Sequence, residues 1–347
     1  MRFYTQQHAY YCGIDLHARS MYLCVLDQTG TVVLHRNIAA EPGELIAALA
    51  PFRPDLVVAA ECTFTWYWLA DLCADENLPF ILGHALYMKA IHGAKAKNDR
   101  IDAHKIAALV RGGNFPLAHV YPKARRATRD LLRRRLRLVR RRSELNVHIQ
   151  NTTSQYNLPA LQKRLAYRCN RDGVAERFLD PSARKSVELD LALMDVYDGM
   201  LLDVERHILH AAKEHDGDTL HRLQSVPGIG KILALTIHYE VGDIARFPTV
   251  QDFASYARLV KPSKESAGRV HGHGGGKIGN AHLKWSFSEA AVLFLRDNPI
   301  GQKLLARYER KHGKSKALSI LAHRLGRAVY YILKRKTVFD MQKFIAS

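Results

Sequence analysis

Residues 123–142 read Lys-Ala-Arg-Arg-Ala-Thr-Arg-Asp-Leu-Leu-Arg-Arg-Arg-Leu-Arg-Leu-Val-Arg-Arg-Arg, eleven basic side chains against one acid in twenty positions. The run still keeps an apolar stripe at helical spacing, Leu131, Leu138, Leu145 and Ile149, with Leu132, Leu136 and Val139 beside it. It is therefore expected to be a helix with one packed seam and cationic groups around most of the remaining circumference. A solvated helix face normally mixes both signs, and this one does not. Phosphate contact is the reading for Arg125, Arg126, Arg129, Arg133, Arg134, Arg137, Arg140 and Arg141.

The whole chain leans the same way. Its 52 Lys and Arg face 33 Asp and Glu, a net charge of +19, which points to a polyanionic partner, nucleic acid first. The length of 347 residues allows two or three domains. The five cysteines (Cys12, Cys24, Cys62, Cys73, Cys169) are scattered without metal-ligand spacing, so a reducing interior is expected. With no apolar leader at the N-terminus and no long apolar window, the expectation is a soluble, cytoplasmic, nucleoid-associated protein with no membrane partner.

The first 118 residues alternate β-rich and helical signals in the order β-β-β-α-β-α-β-α, an α/β arrangement with a mixed sheet. Asp15 and Glu61 each close an apolar strand-like run, and ligands of α/β sheets collect at such carboxyl ends. A later helix opens on Asp99 and Asp102, which at i and i+3 share one face. Taken alone, that pair satisfies helix-start chemistry. With Asp15 and Glu61 it makes four carboxylates in one domain, the hard oxygen ligands that Mg²⁺ or Mn²⁺ requires in phosphodiester chemistry.

A second long helix is expected over 184–214, with Leu189, Leu193, Val196, Met200, Val204, Ile208 and Ala211 as its seam and acids on its other faces. It is opposite in sign to the Arg-rich helix, so the two form an antiparallel hairpin or join two protomers. Leu223 to Ala234 has the pattern of a helix-hairpin-helix turn, in which Gly228 and Gly230 permit the turn and Lys231 follows. The amides of the next helix would then face a phosphate. Residues 261–280 are glycine-rich and cationic, with Lys264, Arg269 and Lys277 near Ser263 and Ser266. Such a loop moulds to a phosphate. His271 and His273 lack an acid or Cys partner nearby and make a poor metal site. Trp66, Tyr67 and Trp68 are read as core.

Gly13-Ile14-Asp15-Leu16-His17, Ala60-Glu61-Cys62-Thr63 and Lys97-Asn98-Asp99-Arg100-Ile101-Asp102-Ala103 together resemble the DEDD insertion-sequence transposases, recombinases with a RuvC-like, RNase H-type domain, some guided by a bridge RNA. Asn98 stands where that family usually has Thr. The segments Lys264-Glu265-Ser266-Ala267-Gly268 and Lys277-Ile278-Gly279-Asn280 are similar to the family's C-terminal loop. The resemblance implies a metal-binding tetrad of Asp15, Glu61, Asp99 and Asp102 and a nucleophilic Ser266, with Ser263 as its neighbour. It implies three parts: an RNase H-like domain over 1–118, a basic helical coiled-coil region over 119–218, and a mainly α C-terminal domain over 219–347 carrying the helix-hairpin-helix motif. The partners implied are donor and target DNA, a guide RNA, and further copies in a dimer or tetramer. The alternatives are a metal-only RuvC-like nuclease or junction resolvase, and a nucleic-acid-binding protein without catalysis.

Overall fold

The computed structural model describes residues 2–91, 98–273 and 278–346. It separates into two compact units, residues 1–124 and 125–347.

In the first unit, β1 (Phe3–Tyr4), β2 (Tyr10–Leu16), β3 (Ser20–Asp27) and β4 (Val32–Ala39) are followed by α1 (Pro42–Leu49), β5 (Leu56–Glu61) and α2 (Trp66–Asp75). Then come β6 (Phe80–Gly83), α3 (Ala85–Ile91), α4 (Asp99–Arg111) and β7 (Phe115–Pro116). Five strands form one mixed sheet in the order β4-β3-β2-β5-β6. Strand β2 is antiparallel to β3 and parallel to β5, and β5 is parallel to β6. The expected alternation of strands and helices is present. The two-residue pair β1–β7 and the short α3 are additions, too brief to leave a periodic signal.

Burial on both faces explains why β5 reads as an unbroken apolar run. On one face Cys12, Ile14, Met21, Leu23, Val58 and Ala60 pack against Leu45 and Leu49 of α1 and Leu69 and Cys73 of α2. On the other, Tyr11, Val57 and Ala59 meet Ile106, Leu109 and Val110 of α4. All five cysteines are free; Cys12, Cys24 and Cys73 are buried as small hydrophobes, while Cys62 and Cys169 are exposed, and burial pushes the Cys73 thiol up to about 12 and that of Cys24 to about 11. Gly13 lies on the α4 face by strand alternation. A Cβ there would stand 2.3 Å from the Ala103 carbonyl oxygen and 2.4 Å from the Ala107 nitrogen. The helix backbone rests directly on β2 because no side chain intervenes.

The second unit contains α5 (Lys123–Gln155) and α6 (Pro181–Gln224), then α7 (Lys231–Val241), α8 (Val250–Tyr256), the strands β8 (Ser263–Ser266) and β9 (Arg269–His273), and α9 (Ala281–Leu293), α10 (Pro299–His312), α11 (Lys314–Arg335) and α12 (Met341–Ala346). Helices α7 to α12 share one core around Phe253, Phe287, Leu321 and Val329. No helix among the described residues is long and apolar enough to cross a membrane.

Helices α5 and α6 pair antiparallel within the chain. Arg135 bonds Glu205, Arg142 bonds Asp198 and His148 bonds Asp190, while the buried Arg171 from the connecting segment reaches Asp195 and Asp198. These contacts fix which side of α6 faces inward, and it is not the whole expected seam. Val187, Met194, Leu201 and Ile208 are buried. Leu189, Leu193, Val196 and Met200 are 56, 47, 52 and 49 % exposed. Helix α6 is apolar on two sides, and periodicity alone does not say which one packs. The helix breaks at Asp216 (φ −173°, ψ 82°), where the Asp216 carboxylate accepts from the Thr219 amide and caps the continuing segment.

The close approach over Gly13 gives the first test. Gly13→Ala forces α4 off β2, and overpacking of this kind costs about 1–3 kcal/mol. Thermal unfolding followed by circular dichroism should shift down accordingly. An unchanged transition would mean that α4 is free to withdraw.

Candidate metal centre and nucleic-acid surface

Strand β2 pairs with β5 through Ile14 and Ala60. Asp15 follows Ile14 one residue before the end of β2, and Glu61 follows Ala60 as the last residue of β5, so the two acids lie at the carboxyl ends of adjacent parallel strands, about 4.8 Å apart as chains. Both side chains are partly buried. Helix α4 supplies the other acids. Its N-cap is Asn98, whose side-chain oxygen accepts from the Ile101 amide at 2.8 Å. Asn and Thr both cap well, so the departure from the family's Thr leaves the helix start intact. It also frees Asp99 from capping. Lys97 of the same motif lies outside the described residues.

Asp15, Asp99 and His17 converge: one ligand atom from each lies within 4.8 Å of the others. The His17 Nε2 is 3.5 Å from an Asp15 oxygen and 3.4 Å from an Asp99 oxygen. Among the described residues this is the group able to hold a metal ion. His17 was not singled out in the sequence. Its signal was strand alternation, which sets Gly13, Asp15 and His17 on the same side of β2 and its extension. The other two expected acids are near in the fold but outside that group. Glu61 closes the adjacent strand, and Asp102, one turn further along α4, accepts from the Lys105 ammonium at 3.3 Å. Two carboxylates and an imidazole suit a divalent cation such as Mg²⁺ or Mn²⁺, the nitrogen favouring the softer ion.

The eight arginines expected at phosphates fall into two groups. Arg134, Arg137, Arg140 and Arg141 are exposed on α5, Arg141 beside Glu144 at 2.8 Å. Arg125 donates to the Gly242 carbonyl, Arg126 is buried, and Arg129 and Arg133 turn inward onto Glu240. Glu240 is almost wholly inaccessible, its side chain 2 % exposed. Burial opposes its ionisation, but the Arg133 hydrogen bond and the charges of Arg129 and Arg133 outweigh that and hold its carboxyl below the usual range. The sequence signal was Glu240 itself, one acid near the end of the apolar α7.

Between α6 and α7 the chain turns through Val226–Gly230. Gly228 (φ +84°) lies against the backbone of α9, where a Cβ would stand 2.5 Å from the Phe294 nitrogen. Gly230 is the N-cap of α7, and it and Lys231 are exposed.

Residues 263–273 of the glycine-rich segment form regular structure, and residues 274–277 lie outside the described residues. Strands β8 and β9 form an antiparallel hairpin in which Ser266 pairs with Arg269 and Ser263 with His273. The connection is Ala267 (φ +50°) and Gly268 (φ +72°), the two positive φ values of a type I′ turn. Ser266 and Arg269 flank that tip, both exposed. Lys264 is in β8 with its side chain undescribed, and Lys277 lies outside the described residues.

Comparison with known proteins accords with this arrangement. Residues 12–158 match a DEDD-type domain model of the IS110 group, described as Transposase. The mixed sheet with acids at its strand ends, and the helix bringing a further acid beside them, lie within this transposase-like segment. Residues 220–306 match a second model, the Transposase IS116/IS110/IS902 family. The chain is 24 % identical to the transposase for insertion sequence element IS1111A of Coxiella burnetii, over 94 % of this chain and 90 % of that protein. It is 23 % identical to the transposase for insertion sequence element IS1328 of Yersinia enterocolitica, over 94 % and 98 %. Both matched segments, and relatives that span nearly the whole chain, point to the IS110/IS116 transposases.

The site yields a direct binding test. Asp15→Asn and Asp99→Asn should each weaken Mn²⁺ binding by about tenfold or more in calorimetric titration, with helical content unchanged. Wild-type affinity in both variants would remove the cluster as a metal centre.

Proposed function

We propose that this chain is a transposase that cuts and rejoins DNA strands with a carboxylate-held divalent metal centre and a serine nucleophile. The observation that carries the metal half is the convergence of Asp15 and Asp99 within 4.8 Å, inside the segment that matches the DEDD-type domain. Asp15, Glu61, Asp99 and Asp102 form the acidic set of an RNase H-like domain over 1–118, with His17 at its edge. When bound, Mg²⁺ or Mn²⁺ neutralises charge at the scissile phosphate. Ser266 attacks the phosphorus: a bond from Oγ to phosphorus forms and the bond to a deoxyribose oxygen breaks. The serine proton is, in net terms, passed to the departing oxygen. Rejoining reverses the exchange with the hydroxyl of another strand. The position of Ser266 at an exposed hairpin tip opposite Arg269 supports this role, since a hydroxyl there meets a backbone phosphate without obstruction and with a cation beside it.

Arg134, Arg137, Arg140 and Arg141 make the phosphate-binding face of the basic arm over 119–218. Gly230 and Lys231 present a helix N-terminus as in a helix-hairpin-helix, within the C-terminal part over 219–347. A guide RNA is consistent with the same cationic face. The exposed stripe Leu189, Leu193, Val196 and Met200 supports assembly of a dimer or tetramer, because helical apolar stripes of this spacing are covered by a second helix.

Two outcomes test the proposal. A denaturant-stable protein–DNA adduct should form with the wild type on a plasmid carrying the intact element and be absent with Ser266→Ala. Adduct persisting in Ser266→Ala would remove the nucleophile, and cleaved DNA free of protein in the wild type would instead indicate a metal-only nuclease. Leu193→Glu with Val196→Glu should reduce the molar mass measured by light scattering to that of a monomer; an unchanged oligomer would place the interface elsewhere.

A further inference from the structure

The segment that carries Ser266 is closed at its base by a short set of hydrogen bonds. The Asn280 amide donates to the Tyr256 carbonyl at 2.6 Å, and the Arg258 guanidinium donates through Nε to the Ile278 carbonyl at 3.0 Å. Gly279 (φ +97°) lets the two strands of the base touch, since a Cβ there would stand 2.7 Å from the Tyr256 oxygen. Asn280 then performs two tasks. Its side-chain oxygen caps α9 by accepting from the His282 and Leu283 amides at 2.9 and 3.0 Å. Its Nδ2 donates to Glu240 Oε2 at 2.7 Å.

Glu240 is in turn gripped by two arginines. Arg133 donates to both of its oxygens, at 2.6 and 2.9 Å, and Arg129 donates to Oε2 at 3.0 Å. A buried ion cluster of this kind adds little stability over apolar packing of equal volume. What it supplies is geometry, because the planar two-point Arg–carboxylate contact fixes orientation as well as distance. Arg129 and Arg133 belong to the same helix as the exposed Arg134, Arg137, Arg140 and Arg141.

We infer that Glu240 is a positioning residue. With Asn280 it locks the base of the serine segment to the basic helix, so that the hairpin is held in fixed register with the arginine face. The catalytic half of this inference rests on the reading of Ser266 as nucleophile; the mechanical half does not.

The variant Asn280→Ser removes the link and keeps the cap, because serine caps a helix as well as asparagine but has no amide to offer Glu240, or the Tyr256 hydroxyl that the same amide reaches at 3.4 Å. In the full-length protein, hydrogen exchange at residues 263–273 should accelerate while exchange in α11 stays unchanged. Affinity for the element-bearing plasmid should stay within about twofold of wild type, whereas the rate of serine adduct formation should fall by about tenfold or more. Glu240→Gln, whose single amide oxygen cannot take the two-point Arg133 contact, should likewise accelerate exchange at residues 263–273 and lower the adduct rate. Unchanged exchange at 263–273 in Asn280→Ser would overturn the lock. Accelerated exchange with an unchanged adduct rate would overturn its catalytic consequence. If the wild type forms no adduct at all, the nucleophile reading fails, and the exchange measurement still decides whether the lock exists.

Discussion

The N-terminal unit depends on one contact, the backbone of α4 lying on β2 over Gly13. From that point the two elements carry their acids toward each other. Asp15 is two residues along an extended strand from Gly13, a step of about 6.6 Å. Asp99 is four residues back along the helix from Ala103, about 6 Å. Nearly equal steps from one touching point bring both carboxylates to the same place, with His17 between them. A larger residue at position 13 would displace the helix start and separate the acids without altering any of them.

Much of this unit could be read in the sequence because burial on two faces leaves unambiguous apolar runs. The strand ends at Asp15 and Glu61 and the helix opening near Asp99 follow from that patterning. The partition of work at the helix start did not. Asn98 takes the cap and Asp102 is engaged by Lys105, both local, while Asp99 turns to His17, a choice that depends on a neighbour distant in sequence. His17 was hidden for the same reason, since its significance lies in Asp99.

In the second unit the difficulty was different. Charge density marked α5 correctly as cationic but gave no means to separate arginines that face solvent from those neutralised inside. Glu240 makes that separation, and a single acid within an apolar helix carries little weight until its partners are known. The two apolar sides of α6 posed a similar ambiguity, resolved by the acids that pair with α5. The segment around Ser266 was obscured by its glycines, which suggest disorder but here provide a tight reversal at Gly268 and a close crossing at Gly279.

The ion pairs between α5 and α6 also restrict how this arm can change over evolutionary time. Arg135 with Glu205, Arg142 with Asp198 and His148 with Asp190 run in opposite directions at nearly matched intervals. Insertion of one residue in either helix would rotate everything beyond it by about 100° and carry the charges away from their partners. Length is therefore gained or lost in paired blocks of about seven residues, two turns from each helix at once. Such an arm behaves as a ruler whose graduations are whole heptads, and relatives that differ in its reach should differ by those units.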